Sequence, residues 1–231
     1  MGGVRNLDNI RVNEGTNRIM RDSPLHPDAG ANIEITIKEY VRRLLDYNKN
    51  VNLMSRKMTP GGFIQLLNET FLLNDYISGK SDTIVDAGSG SGILGIPIAV
   101  INKNKNKNKK IILVEPKKKK MNFLLEIKNQ LQLSNVEIVG VGIDEYVKKI
   151  KKEGEKKQIS MVARGFPDIR VFCFYVKRGM IEEALLITSE NKIKKNKIYL
   201  ESVKQKTYNV PLRDYLKILK MEKTARAEYE E

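Results

Sequence analysis

From residue 81 onward, short β-rich segments alternate with segments of helical periodicity, and this alternation constrains the fold more than any other feature of the chain. The helical segments repeat their apolar residues every three to four positions, whereas the β-rich runs are short and dense in Val, Ile and Leu. We predict strands over residues 83–87, 110–115, 136–139, 158–163, 197–203 and 214–221, with helices over 93–101 and 119–131. Strands that alternate with helices form a mostly parallel, doubly wound α/β sheet, so the sequence predicts that fold class.

Two more helices are predicted ahead of this sheet. Apolar residues recur at helical spacing over 35–48. Thr59-Pro60 begins a second helical stretch, because proline suits the first turn of a helix. Residues 1–33, ahead of the first of these helices, lack sustained periodicity and contain the single histidine, His26. We therefore predict a mobile arm in which His26 is exposed rather than catalytic. The expected organisation is an arm over 1–33, a helical extension over 34–80 and the sheet domain over 81–231.

The counts of cysteine and histidine exclude several classes of enzyme. Among 231 residues there is one cysteine, Cys173, and one histidine. Zinc sites built from several Cys or His, Ser-His-Asp triads and ordinary Cys-His pairs are therefore excluded, and we expect no metal site. Cys173 lies in an apolar run, which is typical of a core thiol. With no internal disulfide, and no segment near the ~20 apolar residues of a membrane span, we expect a cytoplasmic protein without membrane contact.

The chain is strongly basic, since 42 Lys+Arg against 28 Asp+Glu give a net charge of +14. Such a surplus favours an anionic partner, above all nucleic acid. The Asn-Lys run over 102–110 has another explanation, because an A/T-rich genome enriches both residue types without selecting a binding face. Lysines 117–120 either neutralise phosphates or form a solvated helix start. The candidates for nucleic-acid contact are Arg56, Lys117, Lys118, Lys119, Lys120 and Arg164. For Arg164, an ordinary ion pair within the domain is the alternative.

A glycine-rich loop between the first predicted strand and its helix carries the main chemical signal. Asp86 begins it, and Gly88, Gly90 and Gly92 follow at alternate positions. Ligands of open α/β sheets bind at this edge, and glycine lets a ligand approach the backbone closely. Glu115 ends the next strand, where an acid suits the two hydroxyls of a ribose. A tight turn without a ligand needs neither the three glycines nor the two acids.

Two cofactors compete for this loop. Gly90 to Gly95 matches the G-x-G-x-x-G fingerprint of dinucleotide-binding proteins, which hold a pyrophosphate at a helix N-terminus. A carboxylate at Asp86 would repel a pyrophosphate, whereas it would attract the ammonium and sulfonium of S-adenosylmethionine. The sequence therefore favours S-adenosylmethionine, with a nicotinamide-dependent oxidoreductase as an alternative.

The same loop resembles that of a known family, the glucose-inhibited division protein B family of bacterial small-subunit ribosomal RNA guanine-N7 methyltransferases. Residues 85–97 are similar to its signature loop, which is the most specific part of the match. The resemblance extends from about residue 37 to residue 223. The other similar segments are 50–56, 115–124, 133–136 and 162–165.

The resemblance implies a Rossmann-like class I methyltransferase with added N-terminal helices. It also implies S-adenosylmethionine as cofactor and 16S ribosomal RNA, or the small ribosomal subunit, as partner. The sequence does not show the oligomeric state, and a monomer is our expectation. The residues that it assigns to the donor are Gly88, Ile93, Ile143, Asp144 and Arg164, which join Asp86, Gly90, Gly92 and Glu115 from the loop analysis. The chain departs from the family pattern at Leu94, at Gly142 and over 68–72.

The chemistry of guanine N7 agrees with the residues available. N7 attacks through a free lone pair and loses no proton, so no general base is required and no catalytic residue is assigned. Methylation of cytosine C5 would need a nucleophilic cysteine. Amino methylation of adenine is associated with an Asp/Asn-Pro-Pro-aromatic motif, and Phe166-Pro167-Asp168 does not match it. A noncatalytic RNA-binding assembly factor on a methyltransferase fold is a further alternative.

Overall fold

The structure, a computed structural model, describes residues 27–55, 58, 60–104, 109–152 and 158–223. His26, Arg56 and most of the predicted N-terminal arm lie outside the described residues. None of the helices in the described ranges is long and apolar enough to span a membrane.

A seven-stranded sheet forms the centre of the fold, in the order β3-β2-β1-β4-β5-β7-β6. Its strands are β1 (Thr83–Ala87), β2 (Lys110–Val114), β3 (Val136–Val139), β4 (Ile159–Arg164), β5 (Glu183–Ser189), β6 (Lys204–Asn209) and β7 (Leu216–Glu222). The first five strands pair in parallel, whereas β7 runs antiparallel to β5 and β6 antiparallel to β7. The predicted doubly wound, mostly parallel α/β fold is confirmed.

Eight helices are described around this sheet. They are α1 (Pro27–Tyr47), α2 (Pro60–Asp75), α3 (Gly95–Asn104), α4 (Lys118–Gln130), α5 (Ile143–Lys152), α6 (Ile169–Lys177), α7 (Glu190–Lys195) and α8 (Lys197–Leu200). The first of them begins at Pro27, so its first two turns belong to the stretch predicted as an arm. The division into arm, extension and sheet domain stays a prediction.

The two faces of the sheet bury separate apolar layers, because successive side chains of a strand point to opposite sides. On β1, Ile84 joins the layer that contains the buried residues of α1 to α4. Val85 joins the other layer, together with the buried side chains of α5 and α6. All five residues of β1 are buried, as expected for a central parallel strand. The helices on both faces therefore fix the position of the loop that follows β1.

The predicted strand over 197–203 is wrong. Residues 197–200 form helix α8, in which Leu200 is buried and Ile198 is exposed. The segment combines β-prone residues with lysine and has no clear period, so packing of Leu200 decides its conformation.

Strands β5 and β6 are absent from the prediction, as are α5, α6 and α7. The first of these strands is a continuous apolar run, whose period does not distinguish strand from helix. The second lies at the edge of the sheet and is almost entirely exposed and polar. The last predicted strand, 214–221, corresponds to β7 with a shift of one or two residues.

Candidate functional site

The glycine loop leaves β1 at the carboxyl edge of the sheet and requires glycine for two different reasons. Gly88, Gly90 and Gly92 have φ values of 70°, 60° and 81°, in the left-handed region that other residues rarely adopt. A Cβ on Gly92 would lie 2.7 Å from Cγ1 of Ile96. A Cβ on Gly88 or Gly90 would meet no atom closer than 3.7 Å. The loop is therefore packed at Gly92 and open at the other two glycines, as a ligand cradle requires.

Asp86 lies beneath this loop and is only 2% exposed. Its Oδ2 accepts a hydrogen bond of 3.0 Å from the backbone N–H of Gly95, at the start of α3. Burial raises the pKa of Asp86 to about 7, and the nearby carboxylate of Glu115 adds to the increase. A buried acid of this kind favours a cationic ligand, which would offset the unfavourable charge.

Glu115 directly follows β2 and ties the glycine loop to the next helix. Its Oε2 accepts from the N–H of Gly90 at 2.8 Å, and its Oε1 accepts from the N–H of Lys117 at 2.9 Å. The side chain is 4% exposed. Each carboxylate oxygen can accept more than one hydrogen bond, so the predicted contact with ribose hydroxyls fits this geometry.

The two N-terminal helices hold the glycine loop from the other side. The hydroxyl of Tyr40 on α1 donates to the backbone oxygen of Ser91 at 2.8 Å. The single hydroxyl proton of Thr70 on α2 is shared between the oxygens of Ile93 at 2.9 Å and of Leu66, in its own helix, at 3.0 Å. Burial raises the pKa of Tyr40, so its hydroxyl stays protonated and donates. Sequence reasoning missed both contacts, because Tyr40 fits the apolar stripe of its helix.

The predicted adenine-binding pair lies at the start of α5, directly after β3. Ile143 is buried. Asp144 is exposed, and its Oδ1 accepts a hydrogen bond from the hydroxyl of Tyr175 on α6. Burial raises the pKa of Tyr175, and the neighbouring carboxylate adds to that increase. The geometry thus connects this corner of the site to α6.

Arg164 ends β4 and forms the ion pair within the domain that is its alternative role, with partners that the sequence did not reveal. Its Nε donates to Oε2 of Glu69 at 2.9 Å. Nε of Arg213, in the loop between β6 and β7, lies 3.3 Å from Oε1 of the same carboxylate. Glu69 is 1% exposed, so one buried acid orients two half-buried arginines. The only sequence signal was that Glu69 lies in the segment 68–72, which departs from the family pattern.

Lysines 117–120 surround the start of α4 at the same edge of the sheet. The first three are exposed and Lys120 is half-buried. Nζ of Lys120 lies 3.8 Å from the position that a Cβ on Gly90 would occupy. One lysine of the predicted cluster thus lies beside the glycine loop, while Arg56 lies outside the described residues.

Cys173 is buried, with its Sγ 3.5 Å from Sδ of Met221. Burial raises the pKa of the thiol to about 11, so it stays protonated near neutral pH. The predicted core role of this cysteine is confirmed. In the described part of the chain, no three His, Cys, Asp or Glu side chains cluster as metal ligands would.

The fold and the geometry of the site together define the class of protein to which the chain belongs. Open glycines after β1, a buried acid beneath them and a second acid after β2 fit an adenosyl ligand that carries a positive charge. Two solved structures share the fold, each with a TM-score of 0.52 and 14% sequence identity. The match to the precorrin-6y C5,15-methyltransferase of Geobacter metallireducens covers 74% of this chain and 93% of that protein. The match to a METTL16 methyltransferase domain covers 70% of this chain and 83% of that domain. The chain thus has the class I S-adenosylmethionine-dependent methyltransferase fold.

Sequence comparison identifies the family. Residues 33–212 match the model of the GidB family, described as rRNA small subunit methyltransferase G. The ribosomal RNA small subunit methyltransferase G of Brachyspira hyodysenteriae is 30% identical over 76% of this chain and 80% of its own length. The methyltransferase of the same name from Fusobacterium nucleatum is 27% identical over 80% of this chain and 82% of its own length. The chain belongs to the GidB family, which confirms the predicted family, enzyme class and cofactor.

Proposed function

We propose that this protein transfers the methyl group of S-adenosylmethionine to N7 of a guanine in 16S ribosomal RNA. The observation that carries the proposal is the arrangement at the carboxyl edge of the sheet. There, the open glycine loop with its two buried acids follows β1, and β4, the parallel neighbour of β1, ends at Arg164, which Glu69 orients. The names of the relatives support ribosomal RNA of the small subunit as substrate.

The donor would be held by residues of the glycine loop and its neighbours. In this proposal Asp86 offsets the positive charge of the donor, and Glu115 accepts from the ribose hydroxyls. The remaining donor contacts are assigned to Gly88, Gly90, Gly92, Ile93, Ile143, Asp144 and Arg164. When bound, S-adenosylmethionine supplies an electrophilic methyl group on a sulfonium.

The side chains at this edge suit an acceptor that needs no deprotonation. Guanine N7 carries a free lone pair, so the protein needs to orient the base and stabilise the redistribution of charge. Arg164 offers guanidinium donors to a phosphate or a base edge. Cys173, the thiol that cytosine C5 chemistry would require, is buried and protonated. Lys117, Lys118, Lys119 and Lys120, together with Arg56, are the proposed phosphate contacts.

Methyl transfer to 16S RNA tests this proposal. Labelled S-adenosylmethionine is supplied with naked 16S RNA and with 30S subunits, and the product is located by mass mapping. We expect N7-methylguanine in one of the two substrates and no donor binding by Asp86→Ala. Protein that binds the donor yet methylates neither substrate would overturn the proposal.

The remaining expectations concern assembly and location. We propose that the protein acts as a monomer in the cytoplasm, where its ribosomal substrate is found. Analytical ultracentrifugation of the full chain tests the first statement, and cell fractionation tests the second. A stable dimer at micromolar concentration would contradict the monomer.

A further inference from the structure

A groove of about 610 Å³ runs between helices α5 and α6. Asp144, Lys148 and Lys151 line it from α5, whereas Arg170 and Phe174 line it from α6. The bond from the Tyr175 hydroxyl to Asp144 joins the two helices at the start of α5. The volume lies within the range of about 300–1,000 Å³ that small-ligand sites occupy. The groove is therefore large enough for part of a polymer to enter it.

Two lysines give the α5 side of the groove its charge. Lys148 and Lys151 are three residues apart, so they share one face of the helix. Both are exposed, and neither forms an ion pair with another described residue. Arg170, on the opposite side, already pairs with Asp168 at 2.8 Å. Within the described ranges, no ion pair competes with an anionic ligand for these two ammonium groups.

An aromatic ring faces solvent in the same groove. Phe174 is 49% exposed although its helix buries an apolar face against the sheet. The guanidinium of Arg178 lies 5.6 Å from the centre of this ring. An exposed ring beside positive charges is the combination by which proteins bind single-stranded nucleic acid, since bases stack on the ring and phosphates contact the cations.

We infer that this groove binds a single-stranded segment of the RNA substrate and extends away from the donor site, which it meets at Asp144. The inference rests on the proposed function, which supplies an RNA partner. Asp144 belongs both to the groove and to the proposed donor site, so the two are continuous at the start of α5. A base stacks on Phe174, and Lys148 and Lys151 contact the adjacent phosphates. The groove thereby adds affinity for RNA next to the target nucleotide.

The same helix offers a matched control. Lys149 and Lys152 are exposed and have the same spacing, but they do not line the groove. Lys148→Glu/Lys151→Glu and Lys149→Glu/Lys152→Glu therefore change net charge equally on one helix. On the opposite side of the groove, Phe174→Ala removes the ring and Phe174→Tyr retains it.

Fluorescence anisotropy with labelled single-stranded 16S RNA fragments and oligouridine measures the effect. We expect the groove-facing lysine pair to weaken binding at least about tenfold and to reduce the salt slope by about 1.4, which corresponds to two lost phosphate contacts. The control pair should weaken binding less than about threefold. Phe174→Ala should weaken binding at least about fivefold, with Phe174→Tyr close to wild type. A duplex of equal length should bind less tightly than the single strand. The two double lysine variants should have the same melting temperature and the same affinity for S-adenosylmethionine.

Several results would overturn the inference. Equal losses for the two lysine pairs would assign binding to overall charge, and an unchanged affinity of Phe174→Ala would exclude stacking. Displacement of the RNA by polyglutamate with no dependence on Phe174 would indicate an acidic protein partner instead. The proposed function is tested separately: methylation of 16S RNA with equal lysine effects refutes only the groove. Groove-dependent RNA binding without methyl transfer refutes only the proposed reaction.

Discussion

Replacing Asp86 by Asn should stabilise the donor-free protein while abolishing donor binding. Asp86 is buried, and its pKa is raised from 3.8 to about 7. An acid with a raised pKa binds its proton more tightly in the folded state than in the unfolded state. Ionisation therefore destabilises the fold. Asn has nearly the same shape as the protonated acid, and its side-chain oxygen can still accept from the N–H of Gly95.

The magnitude follows from the change in pKa. Each unit corresponds to about 1.4 kcal/mol, so a rise of about 3 units lowers the free energy of unfolding by about 4 kcal/mol above pH 7. Between pH 3.8 and 7 the effect grows with pH, and near pH 5 it is about 1.6 kcal/mol. Asp86→Asn should therefore gain about 4 kcal/mol of stability at pH 8 and about 1.6 kcal/mol at pH 5.

Urea denaturation without donor, at pH 8 and at pH 5, measures both gains, and calorimetry with S-adenosylmethionine measures binding. Glu69→Gln is a comparison, because it neutralises another buried acid that already has two arginine partners and so should not become more stable. An Asp86→Asn variant no more stable than wild type at pH 8 would refute the reasoning. So would a gain that does not change with pH.

Four further substitutions test backbone conformation at three positions and one buried hydrogen bond. Gly92→Ala should destabilise the fold by about 3 kcal/mol or more, because its Cβ would overlap Ile96 at a φ of 81°. Gly165→Ala should cost only about 1–2 kcal/mol of stability, because Gly165 has a φ of 64° and no neighbour within 4 Å. Equal losses of stability in urea denaturation would contradict this difference. Tyr40→Phe should cost about 1–3 kcal/mol, since it leaves the buried oxygen of Ser91 without its donor, and an unchanged denaturation midpoint would argue against that bond. Leu212→Gly should gain about 0.5–1 kcal/mol, because Leu212 is 87% exposed at a φ of 62°; a lower melting temperature would count against strain there.

The sequence predicted the elements whose signals are local. Strands β1 to β4 are short apolar runs between turns, and the glycine loop with Asp86 is contiguous. The edge strand β6 has no apolar pattern, because its side chains face solvent. Helix α8 carries β-prone residues whose conformation depends on where Leu200 is buried.

Contacts in the site between distant parts of the chain were beyond prediction. Glu69 orients Arg164 and Arg213 only once α2, β4 and the loop after β6 meet. No periodicity or motif connects those residues, since their pairing depends on the tertiary fold. The same holds for Tyr40 and Ser91, whose hydrogen bond joins α1 to the glycine loop.

That hydrogen bond has a consequence for modularity. Tyr40 and Thr70 together anchor the loop that is proposed to hold the donor, and their helices share one apolar layer with the sheet. The N-terminal helices are therefore not an exchangeable module that evolution could transfer between methyltransferases without also altering the donor pocket. Changes in α1 and in the glycine loop should be inherited together, so drift in one element restricts which substitutions the other tolerates.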